Sequence, residues 1–215
     1  SQSMQIQDFQ PDRLEAAKKV GLDFIQGRRQ DRIGLVVFSG DAFSLAPLTT
    51  DYDLLRSYVQ EINFEMIDNR GTAIGSALAV VTNRMRESET KSKVCILLSD
   101  GDNTAGNIDP ITAAELASAY GIKIYTIVVG KEGLVPYGKD FFGRPNMIEN
   151  TVDETTMRKI AEIGDGEFFR ATDNEALASV FNMIDQFEKA EIKETRYKDT
   201  SDYYFIYLQW AAALF

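Results

Sequence analysis

The chain has 215 residues, 44% hydrophobic and 26% charged, and 33 acidic against 23 basic side chains give it a formal net charge of −10. That length and apolar content suit one sizeable core that needs no disulfide or structural metal, and the negative charge opposes the phosphate neutralisation by which proteins hold nucleic acid. Histidine is absent and Cys95 is the single cysteine, which excludes imidazole–nucleophile pairs, imidazole-bound zinc and an internal disulfide, and leaves hard, oxygen-ligated ions as the metals to look for.

The chain opens on Ser1-Gln2-Ser3-Met4 without a strand pattern. Pro11-Asp12-Arg13-Leu14 starts a helix, and Leu14, Ala17, Val20, Gly21, Phe24 and Ile25 recur at helical spacing to about Gln26. Gly27 and Arg28-Arg29 suit its C-terminal end, the arginines as a solvated terminus rather than a phosphate site. Ile33–Phe38 is a buried-strand run; Ala42–Leu45 pairs back as an edge strand that Pro47 ends. Thr49-Thr50-Asp51 caps a helix through Ile62.

Asp68-Asn69-Arg70-Gly71-Thr72 is a polar loop before a helix from Ala73 to about Arg86, with Thr72 at the cap position. Val94–Leu98 is an unbroken apolar run that carries Cys95 as a small buried hydrophobe, and it ends in Ser99-Asp100-Gly101-Asp102-Asn103. Asp109-Pro110 opens a helix to about Tyr120, and Ile122–Val129 is a third buried strand. Residues 131–150 lack any period and read as a long functional excursion or hairpin containing Phe141-Phe142. Asp153-Glu154 caps a helix to Ile163, Gly166–Arg170 is a short strand, and Asn174–Lys189 is an amphipathic helix.

Helices alternating with apolar strands predict an α/β fold, a doubly wound, Rossmann-like and mostly parallel sheet flanked by helices. Residues 1–189 form the domain, 190–202 a charged linker, and 203–215 an apolar segment. That last segment, with Trp210 as an interface or packing aromatic, reads as the start of a cut transmembrane helix.

In a parallel sheet, ligands bind at the carboxyl edge. Ser1, Ser3, Thr72 and Asp100 all fall at helix starts or strand ends on that edge, an all-oxygen set suited to Mg²⁺ or Mn²⁺. Singly, Thr72 is a helix cap and the two serines are polar loop residues; together they resemble a known arrangement. Ser1-Gln2-Ser3-Met4, Gly71-Thr72-Ala73-Ile74-Gly75 and Leu97-Leu98-Ser99-Asp100-Gly101, in that order, resemble the three elements of the metal-ion-dependent adhesion site of von Willebrand factor A-type domains. The resemblance spans about residues 1–189. It implies a non-catalytic protein–protein interaction domain with a divalent ion at Ser1, Ser3, Thr72 and Asp100 and a partner's carboxylate completing the coordination.

The family's Asp-x-Ser-x-Ser places one more aspartate, and the first, central strand, ahead of Ser1. This sequence is therefore expected to lack that strand and one ligand, to borrow a strand or be poorly stable, and to bind metal less tightly. The Gly-Thr-Ala-Ile-Gly loop, the Val135–Met147 excursion and the apolar end are similar to the membrane-anchored Bat-type aerotolerance proteins of bacteria. That similarity implies a stress-related role and an extracytoplasmic position at the inner membrane, anchored by flanking helices.

A rival reading is enzymatic. Asp100-Gly101-Asp102-Asn103-Thr104 also resembles the Asp-x-Asp-x-Thr motif of haloacid-dehalogenase-type phosphatases, in which Asp100 is the nucleophile, Asp102 the acid–base and Asp165 with Glu167 the later acidic pair. An EF-hand loop is excluded by Ala105 at its sixth position, and no Gly-x-Gly-x-x-Gly is present.

Overall fold

The computed structural model describes residues 1–198 apart from 91, 102, 140–143 and 153, and only the backbone of 139 and 190–198. Its centre is a parallel ladder of β3 (Lys93–Ser99), β4 (Ile122–Val129) and β7 (Phe168–Ala171), in the order β3-β4-β7. Cys95 pairs with Ile124 and Ser99 with Val128, while Val129 pairs with Ala171, so all three strands end at one edge. Burial on both faces explains why β4 reads as eight residues without a charged one except Lys123.

Helices cover both faces, as the predicted doubly wound class requires. On one side α3 (Ile74–Met85), α4 (Pro110–Ala119) and α5 (Thr155–Ile163) enclose Leu78, Cys95, Leu97, Ala114, Ile124, Met157 and Ile160. On the other, α1 (Arg13–Gln26) and α2 (Tyr52–Glu61) close over Ile25, Ala46, Leu55 and Val59 with β1 (Ile33–Phe38) and β2 (Ala42–Thr49). Asp12, Asp51 and Asp109 each accept from a backbone N–H in the first turn of α1, α2 and α4, which satisfies donors the helices leave unpaired. Pro11 therefore precedes the cap of α1 and does not open the helix.

β1 and β2 form an antiparallel pair that runs past Pro47, contrary to the expectation that proline ends it. Ile33 faces Thr49 and Leu35 faces Ala46, so two steps on β1 oppose three on β2. Pro47 lies in that irregularity, where a residue without an N–H removes no ladder bond. The excursion after β4 is a hairpin of β5 (Gly133–Lys139) and β6 (Pro145–Asn150); Phe141 and Phe142 lie outside the described residues. α6 (Asn174–Lys198) continues as helix through 190–198, where a linker is expected to begin. Ser1–Phe181 make one compact unit and Asn182–Phe215 a second. The apolar segment 203–215, Trp210 included, lies outside the described residues, among which no helix is long and apolar enough to cross a membrane.

Among the described residues β1 pairs with β2 alone and β3 with β4 alone. Each thus leaves one ladder edge open to a further strand. An upstream extension supplying a five- or six-residue apolar strand is expected to raise the melting temperature by at least ~5 °C, since 1 kcal/mol moves a domain of this size by ~2–4 °C. An unchanged thermal scan would show that the edges take no strand. Burial pushes the Cys95 thiol up to about 12, so at pH 8 almost none is thiolate. A disulfide reagent is expected to label Cys95 only at the rate of unfolding; labelling within seconds of mixing under native conditions would contradict its burial.

Candidate metal centre

Asp100 follows the last residue of β3, at the carboxyl edge of the ladder. Its side chain is 6% exposed, and Oδ2 is buried with no hydrogen-bond partner. Ser1 and Ser3 are brought together by a short 3₁₀ turn, Gln2–Gln5, in which Met4 N–H donates to Ser1 O at 3.3 Å and Ile6 N–H to Ser3 O at 3.1 Å. The two serine hydroxyls hydrogen-bond to each other. The backbone nitrogen of Ser1 lies within electrostatic reach of the Asp100 carboxylate.

Thr72 is 4% exposed and is locked to the loop that leaves Asp100. Its carbonyl accepts from Thr104 N–H at 3.0 Å and Ala105 N–H at 3.3 Å, and its own N–H donates to Thr104 Oγ1 at 3.0 Å. Thr72 is not the cap of α3, as its sequence position suggests. Ala73 occupies that position and has no side-chain oxygen; the N–H of Ile74 instead donates to Asn103 Oδ1 at 2.9 Å. The cap comes from across the site because the local sequence offers none.

Two glycines explain the spacing of the Gly-Thr-Ala-Ile-Gly loop. Gly71 has φ of +116°, and a Cβ there would lie 2.7 Å from Ala105 Cβ. A Cβ on Gly75 would lie 2.0 Å from the carbonyl oxygen of Ile108. Both positions let the Thr72 loop press against the Asp100 loop, backbone on backbone. Ser39, beyond β1, joins the same edge: its carbonyl accepts from Ala73 N–H at 2.7 Å and its hydroxyl donates to Gly71 O at 3.2 Å.

The sequence reading missed Asp8 and Arg13. Arg13 lies in the first turn of α1, where a charge normally faces water, yet its side chain is 1% exposed, as is that of Asp8. The guanidinium forks onto Asp8, Nε to Oδ1 at 2.8 Å and Nη2 to Oδ2 at 2.7 Å, and its Nη1 stands 3.7 Å from Asp100 Oδ2. Lys131 N–H donates to Asp8 Oδ2 at 2.8 Å, and Gln7 N–H reaches Pro136 O of the hairpin at 3.0 Å. The available signal was periodicity: Arg13, Ala16 and Val20 are buried together on one helix face.

The donors fit a hard cation. Ser1, Ser3 and Thr72 carry hydroxyl oxygens, and Asp100 offers a buried oxygen that accepts no hydrogen bond. Among the described residues no group of three or more His, Cys, Asp or Glu side chains forms a metal cluster, so softer ligand sets have no place to assemble. The phosphatase arrangement is not brought together: Asp165 and Glu167 precede β7 beside the start of β4, where Ile124 N–H donates to Gly164 O at 3.0 Å and Thr126 N–H to Glu167 O at 3.1 Å. That is the opposite edge of the ladder from Asp100. Asp102 lies outside the described residues. Arg28 packs its guanidinium 4.0 Å from the Phe24 ring and pairs with Asp31 at 3.0 Å, a structural helix end.

The von Willebrand factor type A domain model matches residues 1–183. The structure of the conserved hypothetical protein BatB from Bacteroides thetaiotaomicron superimposes with a TM-score of 0.74 at 30% identity, covering 88% of this chain and 95% of that one. An aerotolerance-related membrane protein from Bacteroides fragilis gives 0.72 at 30% identity, covering 85% and 92%. A UPF0353 protein of Nocardia farcinica is 29% identical over 201 residues, 86% of this chain and 60% of that protein. The chain thus spans well under two thirds of this curated relative's length.

Asn103→Ala removes the transferred cap while leaving every proposed ligand in place. It is expected to cost about 1 kcal/mol, the usual worth of a side-chain cap, read as a loss of ~2–4 °C in melting temperature. A melting temperature unchanged within 1 °C (on the order of measurement error) would show that the Asn103 bond carries no stability.

Proposed function

We propose, from the premise that this chain belongs to the von Willebrand factor type A domain family, that it is a protein-interaction domain whose contact depends on a bound divalent cation. Domains of this family mediate protein–protein contact, commonly bind a divalent metal at the adhesion site and are typically not enzymes. In the finer reading the ion is Mg²⁺ or Mn²⁺, with Ser1, Ser3 and Thr72 as hydroxyl donors and Asp100 as the carboxylate, bound directly or through water. The observation that carries it is Asp100 Oδ2, buried and without a hydrogen-bond partner, its ion pair with Arg13 being a long approach of 3.7 Å. An anionic oxygen withdrawn from water needs a cation.

A donor set with one carboxylate leaves a hard divalent ion with net positive charge, which favours an acidic side chain from a partner. Histidine is absent and domains of this family are typically not enzymes, so the reading is non-catalytic. The likeness to membrane proteins of the Bat type supports a place at the bacterial inner membrane on its extracytoplasmic side, and a role connected with aerotolerance. Within that reading, residues 1–189 are the interaction domain, 190–202 the link and 203–215 the beginning of a membrane anchor.

Calorimetric titration of the protein with Mg²⁺ and Mn²⁺ is expected to show saturable binding, weakened at least ~10-fold by Asp100→Ala, the scale on which metal sites respond to loss of a direct or supporting group. Absence of binding by the native chain, or equal binding by the variant, would overturn the metal dependence.

A further inference from the structure

Asp8, Arg13 and Asp100 place two buried carboxylates around one buried guanidinium. The sharing is unequal. Asp8 takes a bidentate fork at 2.7 and 2.8 Å together with the Lys131 N–H, whereas Asp100 has a single approach at 3.7 Å, too long for a hydrogen bond. While the Asp8 fork is made, Arg13 has little freedom to correct this imbalance. Its guanidinium packs against Gly130, where an added Cβ would meet Nη2 at 2.7 Å and Cζ at 2.8 Å, and its backbone N–H is held by Ile6 O at 3.3 Å.

We infer that Asp8 is a positioning residue of the cation site: it holds Arg13 away from Asp100 and so leaves one Asp100 oxygen open for an external cation. A guanidinium and a divalent ion compete for the same oxygen, and the carboxylate of Asp8 decides the competition by offering Arg13 the better geometry. Without Asp8, Arg13 would turn to the nearest remaining anion, which is Asp100, and occupy the site from within. This inference rests on the cation-site reading of Asp100, but the internal competition for Arg13 exists whether or not an ion binds. The backbone nitrogen of Ser1 also lies within reach of the Asp100 charge. It is common to every variant and cancels in their comparison.

The test has two arms on the full chain. With chelator present, a double-mutant cycle in thermal unfolding pairs Asp8→Asn with Asp100→Asn. Asp100→Asn in the native background removes a buried charge held by one long ion pair and no hydrogen bond at Oδ2, and is expected to leave the melting temperature unchanged or raise it. In the Asp8→Asn background it removes the last anion that the described residues place at Arg13 and is expected to lower it. A purely structural role for Asp8 would give the same effect of Asp100→Asn in both backgrounds, and that additivity overturns the inference. In the second arm, Mn²⁺ affinity is expected to fall at least ~10-fold in Asp8→Asn and to return when Arg13→Gln is added. Equal affinity of Asp8→Asn and native protein overturns the inference and leaves the proposed function standing. A non-additive cycle with no Mn²⁺ binding by any variant upholds the Arg13 competition and sinks the cation-site reading. Should Asp8→Asn fail to fold, the double variant Asp8→Asn with Arg13→Gln, in which that ion pair is removed whole, is expected to bind Mn²⁺ at least as tightly as the native chain; weaker binding overturns the inference.

Discussion

A carboxylate withdrawn from water must be met by positive charge or hydrogen bonds, and this domain withdraws two of them beside a single arginine. Asp8 is fully compensated; Asp100 is not. The rest of the carboxyl edge is arranged around that residual charge. The Thr72 loop and the described part of the loop beyond Asp100 are joined through backbone groups and the short polar side chains of Asn103 and Thr104, which carry no charge. The imbalance therefore survives in the folded state instead of being neutralised locally, which is the electrostatic condition a cation site requires.

Close approach of backbones is what makes this arrangement possible. Gly71 and Gly75 on one side and the Thr104–Ile108 stretch on the other leave no room for a Cβ between them. Asn103 and Thr104, which in the sequence fit a phosphatase signature, spend their side chains on the Ile74 and Thr72 N–H groups. The same residues that suggest a nucleophile loop in one dimension act as fasteners in three.

Much of the architecture was legible because long apolar runs and helix caps obey local rules. Ile33–Phe38 and Ile122–Val129 match their strands to the residue, and Asp109-Pro110 marks α4 as a cap followed by proline at the first position. The four expected site residues came from spacing and resemblance; the structure pairs the hydroxyls of Ser1 and Ser3 with each other and fastens Thr72 to the loop that follows Asp100. Residues whose roles depend on distant partners escaped. Pro47 is tolerated by a bulge that only strand pairing creates, Asn103 caps a helix that begins 29 positions before it in the chain, and Arg13 reads as one more charge in a first helical turn. Sequence period reports which face a residue occupies, not what waits there.

The hairpin after β4 alternates as strands do: Val135 is buried, whereas its neighbour Leu134 is 71% exposed. Leu134 and Met147 put apolar surface into solvent on the same projection whose root carries Lys131 N–H to Asp8 and whose first strand takes Gln7 N–H at Pro136. The hairpin is thus a lever with its fulcrum at residues 7 and 8. Force applied at its greasy outer side meets one backbone hydrogen bond from Gln7 and one from the Lys131 N–H to the carboxylate that restrains Arg13.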